Sequence, residues 1–171
     1  MFGWIAAWRN AGVRVGVGWC NSGGVLPRSG TARCASTRKP CAASWARIVG
    51  MYSEQVLEHF RNPRNAGRLE KATAVVLASN PVCGDMLELA ARVEAGRITE
   101  ARFLCQGCTT AIACGSWVTE RLLSGGVEGA RALTAEEISV GLGGLPAATF
   151  HGAQLAAEAV GMLVKKVGGG E

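Results

Sequence analysis

Long apolar runs are missing from this chain of 171 residues: no stretch of eighteen uncharged apolar residues occurs, so nothing reads as a membrane-spanning helix. The unbroken apolar segment of a secretory signal is missing as well. Acidic residues are absent from the first fifty positions, which carry Arg9, Arg14, Arg28, Arg33, Arg38, Lys39 and Arg47. From Met51 onward, eleven Lys and Arg face thirteen Asp and Glu, a net charge of −2. The overall charge of +5 therefore belongs to one end, and a basic surface that steers nucleic acid is excluded for the body of the chain. No internal repeat is present.

What is there supports one ordinary domain with an extension: 49% of the residues are hydrophobic, enough to bury a core. Residues 1–50 hold four of the five Trp, three of the seven Cys and eight Gly, without helical or alternating periodicity. They are expected not to fold. Their Arg-rich, acid-free composition mimics an organellar transit segment. The preferred reading is translated upstream sequence with Met51 as the start, because organised patterning begins there. Cys20, Cys34 and Cys41 lack metal-type spacing and are read as incidental.

Past Met51, Ser53 can cap a helix with Val56, Leu57 and Phe60 on one face, ended by Pro63 and Gly67. Ala74 to Ala78 is strand-like. Leu87, Leu89, Ala91 and Val93 then alternate with Glu88, Ala90 and Arg92, and Ala101, Phe103 and Cys105 with Arg102 and Leu104. The Ala95-Gly96 pair between them predicts an antiparallel hairpin. Helices are expected near 109–123, 134–142 and 150–167, the second opened by a Thr134/Glu137 capping box. The fold class is α+β, a three-stranded antiparallel sheet with helices packed on it over residues 51–167, followed by a short tail at 168–171.

The chemistry lies in a few side chains. Cys83 and Asp85 flank Gly84 in a turn between two strands, where a soft thiolate and a hard carboxylate can converge on a metal. Cys108 stands at a helix start, where the dipole and unpaired amides favour a thiolate. His151 opens the last helix and offers an imidazole. Each has a plainer reading: buried cysteines are usually packing residues, and a lone histidine at a helix end is often a surface group. Cys105 with Cys108 forms Cys-x-x-Cys, which also allows a thiol–disulfide module, although the βαβ pattern expected around such a motif is missing. Cys105 shares the inward set of Phe103, and Cys114, six residues past Cys108 and about 600° around a regular helix, reads as structural.

Met51-Tyr52-Ser53, then Asn62-Pro63-Arg64-Asn65-Ala66-Gly67, then Cys83-Gly84-Asp85, then Gly107-Cys108-Thr109-Thr110-Ala111-Ile112-Ala113, then Phe150-His151 ahead of Leu155-Ala156, follow in order. This series closely resembles the U-type iron–sulfur cluster scaffolds, the IscU and NifU N-terminal domain family, over residues 51–167. The resemblance implies a scaffold or carrier, not a conventional enzyme. A cysteine desulfurase supplies persulfide sulfur, iron is added, and a transient [2Fe–2S] cluster passes to recipient apoproteins. It also implies that Cys83 and Cys108 are thiolate ligands, that Asp85 keeps the cluster labile, and that His151 is an auxiliary ligand. Zinc suits the same mixed donor set.

The chain departs from the family at Gly152, where a third cysteine normally follows the histidine. Three explanations compete: Cys114 or Cys105 substitutes; three protein ligands act with an external one; or the role has changed. Cys114 is the preferred substitute on chemistry, with geometry against it if the helix is regular from Thr109. Gly144-Leu145-Pro146-Ala147-Ala148 also departs from the family's chaperone-recognition segment, so recognition by the dedicated chaperone is not assumed. Dimerisation around a shared cluster is left open. Free thiols without a secretory signal suit a reducing cytoplasm. A zinc-binding sulfur acceptor that shuttles persulfide is the alternative function.

Overall fold

The computed structural model describes residues 51–168. The expectations for 1–50 and for the tail beyond 168 lie outside the described residues. Helix α1, Glu54–Arg61, starts where Ser53 turns extended and its hydroxyl accepts the Val56 N–H at 3.2 Å. The same hydroxyl donates to the Leu142 carbonyl, tying the helix start to a distant loop. The helix stops at Asn62, ahead of Pro63.

The sheet contains β1 (Ala74–Ser79), β2 (Met86–Glu94) and β3 (Arg97–Gln106), antiparallel in the order β1-β2-β3. Leu87 lies opposite Ala78 and Cys105, and Leu89 opposite Val76 and Phe103, so alternate residues of all three strands point to one face. The β2–β3 turn uses positive φ at both Ala95 (49°) and Gly96 (76°), the geometry that matches strand twist in a two-residue hairpin. A register shift between Arg92 and Val93 interrupts the alternation, and Ala90, on the outward set, is also buried. On the far side of β3, Phe103 exchanges backbone hydrogen bonds with Asn65 and Gly67. On β1, the Lys166 ammonium donates to the Val75 carbonyl at 2.9 Å.

Helix α2, Thr109–Arg131, crosses the inner face and is kinked at Gly126, close to the expected end at 123. Helix α3, Ala135–Gly141, carries the expected capping box of Thr134 and Glu137. A short 3-10 turn, Ala147–Thr149, leads into α4, His151–Gly168, which packs on β1, β2 and α2. The core between sheet and helices contains Leu87, Leu89, Val118, Leu122, Ile138, Leu142, Val160 and Leu163. None of the described helices is long and apolar enough to cross a membrane.

Helix α1 buries Val56, Leu57 and His59, whereas Phe60 is only half-buried, so the expected apolar face is corrected by one residue. His59 replaces it because polar partners satisfy its ring. Nδ1 lies 2.9 Å from Ser116 Oγ, and Arg64 Nη1 lies 3.1 Å from Nε2. Arg64 is in turn paired with Glu120 at 3.3 Å, and its backbone N–H donates to Ser116 Oγ at 2.8 Å. Burial, and then the Arg64 guanidinium, hold the His59 pKa below its ordinary value of 6.5, against the opposing pull of Glu120 and Glu58.

Two measurements check this packing. Leu89→Ala removes a fully buried side chain and should cost about 2–5 kcal/mol of unfolding free energy in denaturant titrations. Because the unfolded chain takes up the His59 proton first, stability should fall as pH drops below about 6.5 and level off beneath the lowered folded-state value. His59→Gln should give a flatter stability–pH curve, read by thermal unfolding of the metal-free protein.

Candidate metal centre

Three element ends meet at one edge of the core. The β1–β2 loop is closed by Asn80, whose carbonyl accepts the Gly84 N–H at 2.9 Å while its side chain accepts the Val82 N–H at 2.9 Å. Gly84, at φ 75°, reverses the chain so that Cys83 stays exposed while the next residue, Asp85, is only 7% exposed. Val82, at 94% exposure, marks the tip of this loop.

Asp85 reaches the start of α2. Cys108 is the N-cap of that helix, and its backbone N–H donates to Asp85 Oδ2 at 3.4 Å. A carboxylate there complements the positive end of the helix. Gly107 makes the approach feasible, since a Cβ on it would stand 2.9 Å from Asp85 Cγ. Cys108 Sγ lies 3.0 Å from the hydroxyl of buried Thr110 and 3.9 Å from His151 Nε2. His151 is half-buried at the first position of α4.

One donor atom each from Cys83, Asp85 and His151 lies within 4.8 Å of the others. Ligands bound to one zinc-sized ion at 2.0–2.3 Å sit about 3–4 Å apart, so small side-chain rotations close this set on a metal. A thiol, a carboxylate and an imidazole are also the donor types that borderline metals accept. Of the four residues expected as metal ligands, Cys83, Asp85 and His151 converge, and Cys108 adjoins them through His151 while standing outside the mutual set.

Residues 51–168 match the family model for the NifU-like N terminal domain. The chain belongs to that family. Among its relatives, the NifU-like domain is 41% identical over 110 residues to "Iron-sulfur cluster assembly scaffold protein IscU 1" of Archaeoglobus fulgidus, covering 64% of this chain and 72% of that one. It is 40% identical over 116 residues to "Iron-sulfur cluster assembly scaffold protein IscU" of Aquifex aeolicus, covering 67% and 74%. The solved N-terminal part of a NifU-like protein from Brucella abortus superposes with a TM-score of 0.59 at 17% identity, over 72% of this chain and 99% of that one. That likeness shows the three-stranded α+β fold.

The remaining thiols of the NifU-like domain sit differently. Cys114 is fully buried in the core between sheet and helices, because α2 is regular from Thr109 and turns position 114 inward. It is not among the converging donor atoms. Burial, then the neighbouring sulfurs of Cys108 and Cys105, push its pKa up to about 12. Cys105 is half-buried at the end of β3, and burial, then Asp85, then Cys108, likewise push it up to about 12. A thiol held protonated is a poor nucleophile, which weakens a Cys105–Cys108 redox pair. The His59–Ser116–Glu120 network lies apart from the centre. Its histidine stands three residues beyond Val56 on an amphipathic helix, a spacing that signals burial in spite of the polar ring.

These environments predict an order of reactivity. In the native, metal-free protein at pH 8, alkylation followed by peptide mass spectrometry should label Cys83 first among the four cysteines of the described residues. Cys114 should react at least about a hundredfold more slowly, because both its access and its thiolate fraction are low. In denaturant the difference should vanish.

Proposed function

We propose that this protein is a scaffold on which iron–sulfur clusters are assembled and from which they are transferred to recipient apoproteins. The observation that carries the reading is the convergence of Cys83, Asp85 and His151 on one point, with Cys108 beside them, in a chain whose relatives are named as such scaffolds. Iron and sulfide are the cargo. The sulfur arrives as persulfide from a cysteine desulfurase and is brought to the sulfide level by electrons from ferrous iron and an external reductant, and the product is a transient [2Fe–2S] cluster.

The chain's own residues divide the work. Cys83, on an exposed loop, is accessible to a sulfur donor or an acceptor protein, while Cys108 sits at a helix start and gives a fixed sulfur ligand. Asp85, held beneath them by the α2 amide, supplies a hard oxygen ligand. Sulfur clusters bind hard oxygen less firmly than thiolate, so a cluster held partly by Asp85 and His151 exchanges more readily than one held by four cysteines. Zinc fits the same tetrahedral set when iron is absent. Four free thiols in the described residues suit a reducing compartment such as the cytoplasm.

Anaerobic reconstitution with ferrous iron, sulfide and a desulfurase tests the proposal. Wild type should develop a labile [2Fe–2S] absorption spectrum, Cys83→Ser and Cys108→Ser should lose it, and Cys114→Ser should keep it. Colourless protein that retains stoichiometric zinc through Cys83 and Cys108 would favour the sulfur-acceptor role instead.

A further inference from the structure

We infer that Thr110 is a positioning residue for the metal centre: its hydroxyl donates to Cys108 Sγ, holds that sulfur beside His151 and tempers its donation to a bound metal. The inference rests on the reading of Cys108 as a sulfur ligand. Thr110 is the second residue of α2 and is fully buried. Its Oγ1 lies 3.0 Å from Cys108 Sγ, and His151 Nε2 lies 3.9 Å from the same sulfur.

A fully buried hydroxyl must place its proton. Inside a helix, threonine gives it to a carbonyl one turn back, but at the second position of α2 no turn precedes. The Cys108 sulfur is the acceptor within reach. Once Cys108 loses its own proton to bind a metal, the direction is fixed, because a thiolate only accepts. The first turn of α2 gives that sulfur no backbone N–H, although Cys108 is the N-cap. Asp85 accepts the Cys108 backbone N–H at 3.4 Å, so the carboxylate anchors the main chain and the Thr110 hydroxyl anchors the side chain. The other partner of the sulfur, His151, stands farther off and is itself read as a ligand. A donor on a bound thiolate draws electron density from it, and hydrogen bonds to sulfur are among the features that set the potential of an iron–sulfur cluster. Thr110 thus governs both where the sulfur stands and how strongly it donates.

Cobalt(II), titrated into the reduced full chain under argon and read by visible absorption, reports both effects. The signal is the part of the sulfur-to-cobalt charge-transfer band that Cys108→Ala removes. Thr110→Val keeps the shape of the side chain and deletes the hydroxyl. It should weaken cobalt binding at least about tenfold, the scale on which supporting residues act on metal affinity, and move the band to longer wavelength. Thr110→Ser, which keeps the hydroxyl, should stay within about twofold of wild type with the band in place. Thr109→Val, the same change one residue outside the contact, should also stay within about twofold. In a Cys108→Ala background, Thr110→Val should add less than about twofold, because its effect runs through the sulfur.

Wild-type affinity and band position in Thr110→Val overturn the inference, as does a Thr110→Ser variant that behaves like Thr110→Val, or an equal loss in the Cys108→Ala background. If metal-free Thr110→Val fails to unfold cooperatively, Thr110→Ala carries the same test, with the same loss and band shift expected and the same contrary result. A wild-type cobalt spectrum that Cys108→Ala leaves unchanged overturns the reading of Cys108 as a ligand itself.

Discussion

A buried carboxylate must find donors, and the one at Asp85 finds its donor at the first turn of α2. That requirement organises the centre. It fixes the end of the β1–β2 loop against the helix start, and it keeps Cys83 and Cys108, which come from different elements, on the same side of the sheet. Gly107 allows the contact.

The arrangement separates rigidity from access. Cys108 and Asp85 are held by backbone contacts of regular elements, whereas Cys83 rides on a loop that is turned out to solvent by Gly84. A receptor for a tightly kept metal would bury all of its ligands. A carrier that must take its cargo from one protein and yield it to another needs one side open, and the exposed loop supplies that side. The buried Cys114 and the half-buried Cys105 pack against the core, and burial raises the pKa of both thiols.

Much of this was legible in the sequence where the information is local. The alternation from Leu87 to Val93, the Ala95-Gly96 turn and the Thr134/Glu137 box each report a backbone preference that neighbours in sequence decide. Cys83, Asp85, Cys108 and His151 were recognisable by residue type and order. What escaped depends on contacts between distant segments. The burial of His59 instead of Phe60 follows from Ser116 and Arg64, which no helical period reveals. The loss of Cys114 to the core follows from where α2 begins.

The ammonium of Lys166 on the Val75 carbonyl bears on a different hazard. A three-stranded sheet in this order has two edges; among the described residues β3 is bridged at Phe103 by Asn65 and Gly67, whereas β1 is met by the Lys166 ammonium. Outward-facing Val75 and Leu77 make the β1 edge adhesive. A charged side chain delivered from the last helix blunts it with a cation that incoming strands must displace. The molecule can thus keep a reactive loop open to its clients while refusing indiscriminate strand pairing at its border.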